Sequence, residues 1–219
     1  MRVTYSLILI VITVCTCNTA RNGKNNISYN IQPGDILFQD LDCGPACDAI
    51  ESVTEGVNGK DFSHCGIAAE INGELKVVEA YGTVQAVSLD SFLARSKDAA
   101  GKPKVLIGRL KDNKELALQS AALSKGYIGK DYDEAFRLGD DAYYCSELVY
   151  ECFKRANDGQ PVFPLNAMTF KEPGAEEFMP FWKEYYHKLG VGIPEGDPGI
   201  NPGAISRSKY LQILEVNKR

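Results

Sequence analysis

Phe62-Ser63-His64-Cys65-Gly66-Ile67-Ala68-Ala69-Glu70-Ile71-Asn72-Gly73-Glu74-Leu75-Lys76-Val77-Val78-Glu79-Ala80-Tyr81 reads as two strands joined by one dipeptide. Asn-Gly between β-prone runs is the strongest short hairpin signal, because a type I′ turn needs positive φ at both central residues. With Asn72-Gly73 as the loop, Gly66 faces Glu79 and His64 faces Tyr81. Directly paired residues share a sheet face, so His64 and Glu79 are diagonal neighbours, ~7–8 Å apart at the backbone and within side-chain reach. Gly66 has no side chain to block the gap. The hairpin thus offers an imidazole with a carboxylate beside it, able to fix the tautomer and stabilise the imidazolium. On geometry alone, a His and a Glu on a solvated face fit the same pattern.

Outward from this hairpin, Pro33-Gly34-Asp35 makes a turn and Ile36 to Gln39 a short strand. Pro45 suits the first turn of a helix whose apolar stripe is Ala46, Ile50 and Val53. Val105 to Leu110 is a further strand, Asn113 to Tyr127 a helix, and Tyr210 to Val216 a last strand. A second helix spans about Asp141 to Ala156, with Cys145, Leu148, Val149 and Cys152 on one face. The Pro/Gly-rich stretch Gly190 to Gly203 is either a lid or a structural wrap. Strands, then helices, then a loop-rich end predict an α+β fold with a mainly antiparallel sheet packed against helices.

A chain of 219 residues suits one domain, or one domain plus a tail. The net charge of -5, with no basic stripe, excludes a nucleic-acid partner. Neither a GxxxxGK[ST] nor a GxGxxG loop is present, so no nucleotide cofactor is expected. Arg2 followed by the apolar run Leu7 to Val14 and then small and polar residues predicts a signal peptide over 1–20. A polar linker over 21–30 and a folded domain over 31–219 follow. Val14-Cys15-Thr16-Cys17 loosely resembles a lipobox, so membrane attachment through a lipidated Cys17 is one expected outcome and cleavage near Thr19 or Ala20 the other. Either places the protein outside the cytoplasm, in the periplasm or at the envelope. In an oxidising compartment Cys43 and Cys47 form a local bridge or simply pack. No His lies near them and no second CxxC-type pair exists, so neither metal nor other cofactor is expected.

Only two histidines exist, and any imidazole chemistry must use one of them. His187 sits in the aromatic, charged stretch Trp182 to His187 and reads as a surface or packing residue. Cys145 starts a helix, and both a helix N-terminus and a nearby imidazolium favour a thiolate. A buried structural cysteine is the alternative, and Cys65 and Cys152 fit it.

Gly34 to Gln39, Phe62 to Ile67, Val78-Glu79-Ala80, Gly129-Lys130-Asp131-Tyr132-Asp133 and Tyr143-Tyr144-Cys145-Ser146-Glu147-Leu148 occur in this order. Together they resemble the permuted papain-like enzymes of the YiiX/YaeF type, within the NlpC/P60 superfamily, over about residues 31–170. That resemblance implies a thiol hydrolase with Cys145 as nucleophile, His64 as base and Glu79 as orienting acid, and a thioester acyl-enzyme. The backbone N–H of Cys145 is expected in the oxyanion hole, with Gln39 as a second donor and Tyr144 and Tyr132 lining the cleft. The family and export together point to a peptide or amide substrate, with cell-wall peptidoglycan first. Relatives with the same fold act on lipids, and that reading predicts apolar walls around Cys145. A non-catalytic module that binds peptides or glycans is the third reading. The resemblance does not explain Cys43 and Cys47.

Overall fold

The computed structural model describes residues 29–218, so the signal segment, Cys17 and most of the 21–30 linker lie outside the described residues. Among the described residues no helix is long and apolar enough to cross a membrane. Six antiparallel strands form one sheet: β1 (Ile36–Gln39), β2 (His64–Ile71), β3 (Glu74–Tyr81), β4 (Thr83–Ser88), β5 (Val105–Leu110) and the last strand β8 (Leu211–Glu215). Their spatial order is β4-β3-β2-β1-β5-β8.

The β2–β3 register runs from Ile71↔Glu74 to Ile67↔Val78, as a two-residue loop dictates. Asn72 and Gly73 both have positive φ, 53° and 77°, which is the type I′ requirement. A Cβ on Gly66 would stand 2.7 Å from Val77 Cγ1 and 3.2 Å from Glu79 Cβ, so only glycine lets β3 close on β2 beside the carboxylate.

Period-two alternation splits the sheet's side chains between two cores. Ile36, Phe38, Ile67 and Val78 face helices α3 (Lys114–Ser124) and α4 (Cys145–Ala156). Leu37, Ala68, Val77 and Ile107 face the short helix α2 (Leu89–Ala94) through Phe92 and Leu93. A third cluster joins α1 (Pro45–Glu51), with Ala49, to α5 (Pro180–Leu189), with Trp182 and Tyr186.

The Pro/Gly-rich end is a wrap. Strand β7 (Pro198–Gly199) pairs with β6 (Asn166–Ala167), and α6 (Pro202–Ser206) follows. Ser146 Oγ donates to the Ile200 carbonyl at 2.9 Å, and Ile200 N–H donates to the Tyr144 hydroxyl at 3.3 Å. These bonds fasten the wrap to the first turn of α4.

Candidate active site

Strand β2 delivers His64 at its first residue, β3 delivers Glu79, and α4 delivers Cys145 at its first residue. His64 Nε2 lies 2.7 Å from Glu79 Oε2. The hairpin parity therefore places His64 and Glu79 side by side, as the sequence predicts. Both are buried, Glu79 completely. The Cys145 sulfur lies beside the imidazole, close enough that each group shifts the other's pKa. Tyr81 packs edge-on against the His64 ring, centroids 5.6 Å apart.

The charges follow from these contacts. Burial works to lower the His64 pKa, but hydrogen bonding from the imidazolium to Cys145 and Glu79, together with their charges, outweighs it and raises it to about 9. Cys145 moves the other way, held well below an ordinary thiol by the Cys65 thiol first and by His64 next, against burial. Both shifts favour a thiolate facing an imidazolium.

Two contributors are invisible in the sequence reading. Arg95, at the C-terminal cap of α2, clamps Glu79 with both guanidinium nitrogens, Nη1 at 2.6 Å from Oε2 and Nη2 on Oε1. The guanidinium also stacks over Tyr81, 4.9 Å from the ring centroid. Burial alone would raise the Glu79 pKa; Arg95 and His64 hold it below the usual carboxylate range. The second contributor is Cys65. Parity puts it on the sheet face opposite His64, and it does sit in the core under α4. That face is where Cys145 enters, so Cys65 lies beside it, and its thiol and backbone N–H both work to lower the Cys145 pKa. Burial and the neighbouring thiolate hold Cys65 protonated, and therefore a donor.

Cys65→Ala is expected to raise the pH midpoint of Cys145 alkylation and to lower kcat/KM about tenfold, the weak end of a hydrogen bond to a charged group. Cys65→Ser, which keeps a donor, should restore most of both. An unchanged midpoint in Cys65→Ala would remove Cys65 from the site.

The remaining sequence candidates divide. Tyr144 and Tyr132 both line the cavity at Cys145. Gln39 is not brought there: it pairs with His64 in the β1–β2 ladder, but its Nε2 donates to the Phe92 carbonyl at 2.8 Å. Gln39 is thus committed to α2 and is not placed to donate to an oxyanion. The α4 N-terminus has no side-chain cap, and the Cys145 N–H, in the first turn, has no acceptor within the helix and can donate to a ligand. His187 is exposed on α5. Cys152 is buried, and its thiol pKa is pushed up by burial.

The cavity beside Cys145 and His64 has a volume of about 390 Å³. Cys43 and Cys47 are disulfide-bonded, and both line it. The bond ties the segment before α1 to the first turn of α1, which forms one wall.

A buried Cys–His–Glu constellation, with the His-bearing hairpin preceding the Cys-bearing helix in the chain, defines a papain-like cysteine hydrolase of permuted order. The family model described as "Permuted papain-like amidase enzyme, YaeF/YiiX, C92 family" matches residues 30–215, and the chain belongs to that family. It is a cysteine-dependent hydrolase with a permuted papain-like fold. It is 32% identical over 186 residues to "Uncharacterized protein YiiX" of Escherichia coli (strain K12), covering 84% of this chain and 86% of that one. It is also similar to a crystal structure described as "metalloprotein yiiX from Escherichia coli O157:H7". The TM-score is 0.69 and the identity 28%, with 85% of this chain and 97% of the other covered.

Proposed function

We propose that the protein hydrolyses amide bonds through a thioester on Cys145. The observation that carries this reading is the placement of the Cys145 sulfur beside an imidazole that Glu79 holds. The thiolate attacks the substrate carbonyl and the C–S bond forms. The oxyanion is received at the α4 N-terminus by the Cys145 N–H. The C–N bond then breaks, and the amine leaves with the proton of the His64 imidazolium. Water adds to the thioester with His64 as base, releasing the carboxylic acid and restoring the thiolate.

The substrate is a peptide or other amide. Export through the segment 1–20, with or without a lipid on Cys17, would place the enzyme at the envelope, where cell-wall peptides and N-acylated lipids both present such bonds. The metal of the YiiX neighbour's description has no counterpart in this mechanism. Among the described residues no three His, Cys, Asp or Glu side chains are grouped to hold an ion.

The reading is tested by the pH dependence of two rates. Iodoacetamide alkylation of Cys145 requires the thiolate alone. It should rise at a pH well below the free-thiol range and stay high above it. Turnover also needs the imidazolium as acid, so kcat/KM should fall as pH passes about 9, where His64 loses its proton. Stability behaves differently. Between the ordinary His pKa of about 6.5 and about 9, the His64 contribution declines with rising pH while that of Cys145 grows. Folding moves one proton from sulfur to imidazole and takes up none, so the pair leaves the melting temperature level across that window. Alkylation that begins only in the free-thiol range would sink the thiolate assignment.

A further inference from the structure

The active-site cavity is larger than the attack of a thiolate requires, and its far side is made of segments the catalytic groups do not need. Ile50 of α1, Val53, Phe170, and Phe181 and Trp182 of α5 line it. Apart from His64 and the thiolate, the only charged side chains in the lining are Glu134 and Arg207. Glu134 already accepts a hydrogen bond from the Tyr185 hydroxyl at 2.6 Å. The volume of about 390 Å³ falls in the ordinary range for enclosed organic ligands. Glu134 and Arg207 are both exposed, at the rim of the cavity. Against the wall of Ile50, Val53, Phe170, Phe181 and Trp182 a charged substrate segment loses its hydration without gaining a partner, whereas an apolar chain gains by leaving water.

We propose that this cavity is an acyl-chain site: the substrate's acyl half is an apolar carboxylic acid residue, seated between α1 and α5 with its carbonyl at Cys145. The proposal rests on the thioester chemistry above and names the group that becomes esterified to the sulfur. It also gives the Cys43–Cys47 disulfide a purpose. The bond braces the α1 wall, whose helix of seven residues is too short to hold itself.

The test uses the full chain and a series of N-acyl p-nitroanilides from acetyl to decanoyl. Burial of each methylene predicts an increase in kcat/KM of about fourfold per carbon until the chain fills the cavity. Cell-wall tripeptides, which carry several charges, should be cleaved with lower kcat/KM than the best acyl anilide. A flat series, or tripeptides cleaved better than every acyl anilide, overturns the acyl site. Ala167 lies at the exposed edge of the cavity, on β6. Ala167→Trp should reduce kcat/KM for decanoyl at least tenfold more than for acetyl; equal losses overturn the proposal. Iodoacetamide alkylation of the same samples separates the two failures. Slow, His64-independent labelling of Cys145 overturns the thioester reading, whereas fast labelling beside a flat acyl series overturns the acyl site alone.

Discussion

His64→Ala is expected to reduce kcat/KM by about 10⁴-fold, because one side chain serves both as ion partner of the nucleophile and as acid for the leaving amine. Alkylation separates these two roles. Without the imidazolium, Cys145 moves back toward an ordinary thiol, and at neutral pH only a few per cent of such a thiol is ionised. The rate with iodoacetamide should therefore fall about 30-fold. It does not fall further, because the Cys65 thiol and N–H still work to lower the Cys145 pKa. The two losses thus differ by orders of magnitude in one variant. Equal losses would mean that His64 acts only through the thiolate and takes no part in proton transfer to the amine. An unchanged alkylation rate would mean that the pair is not ionised as described.

The half of the site carried by local pattern was legible in the sequence. Asn72-Gly73 sets the register of β2 and β3, and register alone decides that His64 and Glu79 share a face. β1 and β5 were equally legible from short apolar runs, and both have the bounds expected. What the sequence does not carry is contact between elements distant along the chain. Thr83–Ser88 and Leu89–Ala94 were not read as strand and helix, so Arg95 had no place in space and its pairing with Glu79 could not be derived. Cys65 illustrates the limit of parity. The rule gives its sheet face correctly, yet says nothing of which helix end lands there. Helix α5 had a usable signal, with Pro180 at its first turn and Trp182 and Tyr186 one turn apart. The aromatic, charged stretch Trp182 to His187 reads as surface or packing rather than as a helix. Gln39 was misplaced because a strand end beside the base looks like an oxyanion donor, until the Phe92 carbonyl takes its amide.

Arg95 makes Glu79→Gln the substitution with the largest combined effect. The carboxylate is wholly buried and serves two cations, the imidazolium and the guanidinium. The amide matches its shape but carries no charge. Arg95 then keeps its charge in a half-buried place with no counter-ion, and removing one partner of a buried pair costs about 3–5 kcal/mol. The Arg95 side chain retains some exposure to water, which puts the expected loss near 3 kcal/mol. The imidazolium loses its support as well, so the proton tends to return to sulfur, and kcat/KM is expected to fall by about 10²–10⁴-fold. The pH dependence has a definite sign. A carboxyl held below its usual range contributes stability that is present above that range and lost as pH falls through the folded pKa. Glu79→Gln should therefore flatten the acid limb of the stability curve. Adding Arg95→Met removes the stranded cation. The double variant should recover a good part of the melting temperature while leaving kcat/KM depressed, because the hydrogen bond from the imidazolium to a charged acceptor is still missing. A double variant no more stable than Glu79→Gln would show that the guanidinium is solvated rather than held by the carboxylate. Full activity in Glu79→Gln would leave His64 oriented by the sheet and by Tyr81 alone.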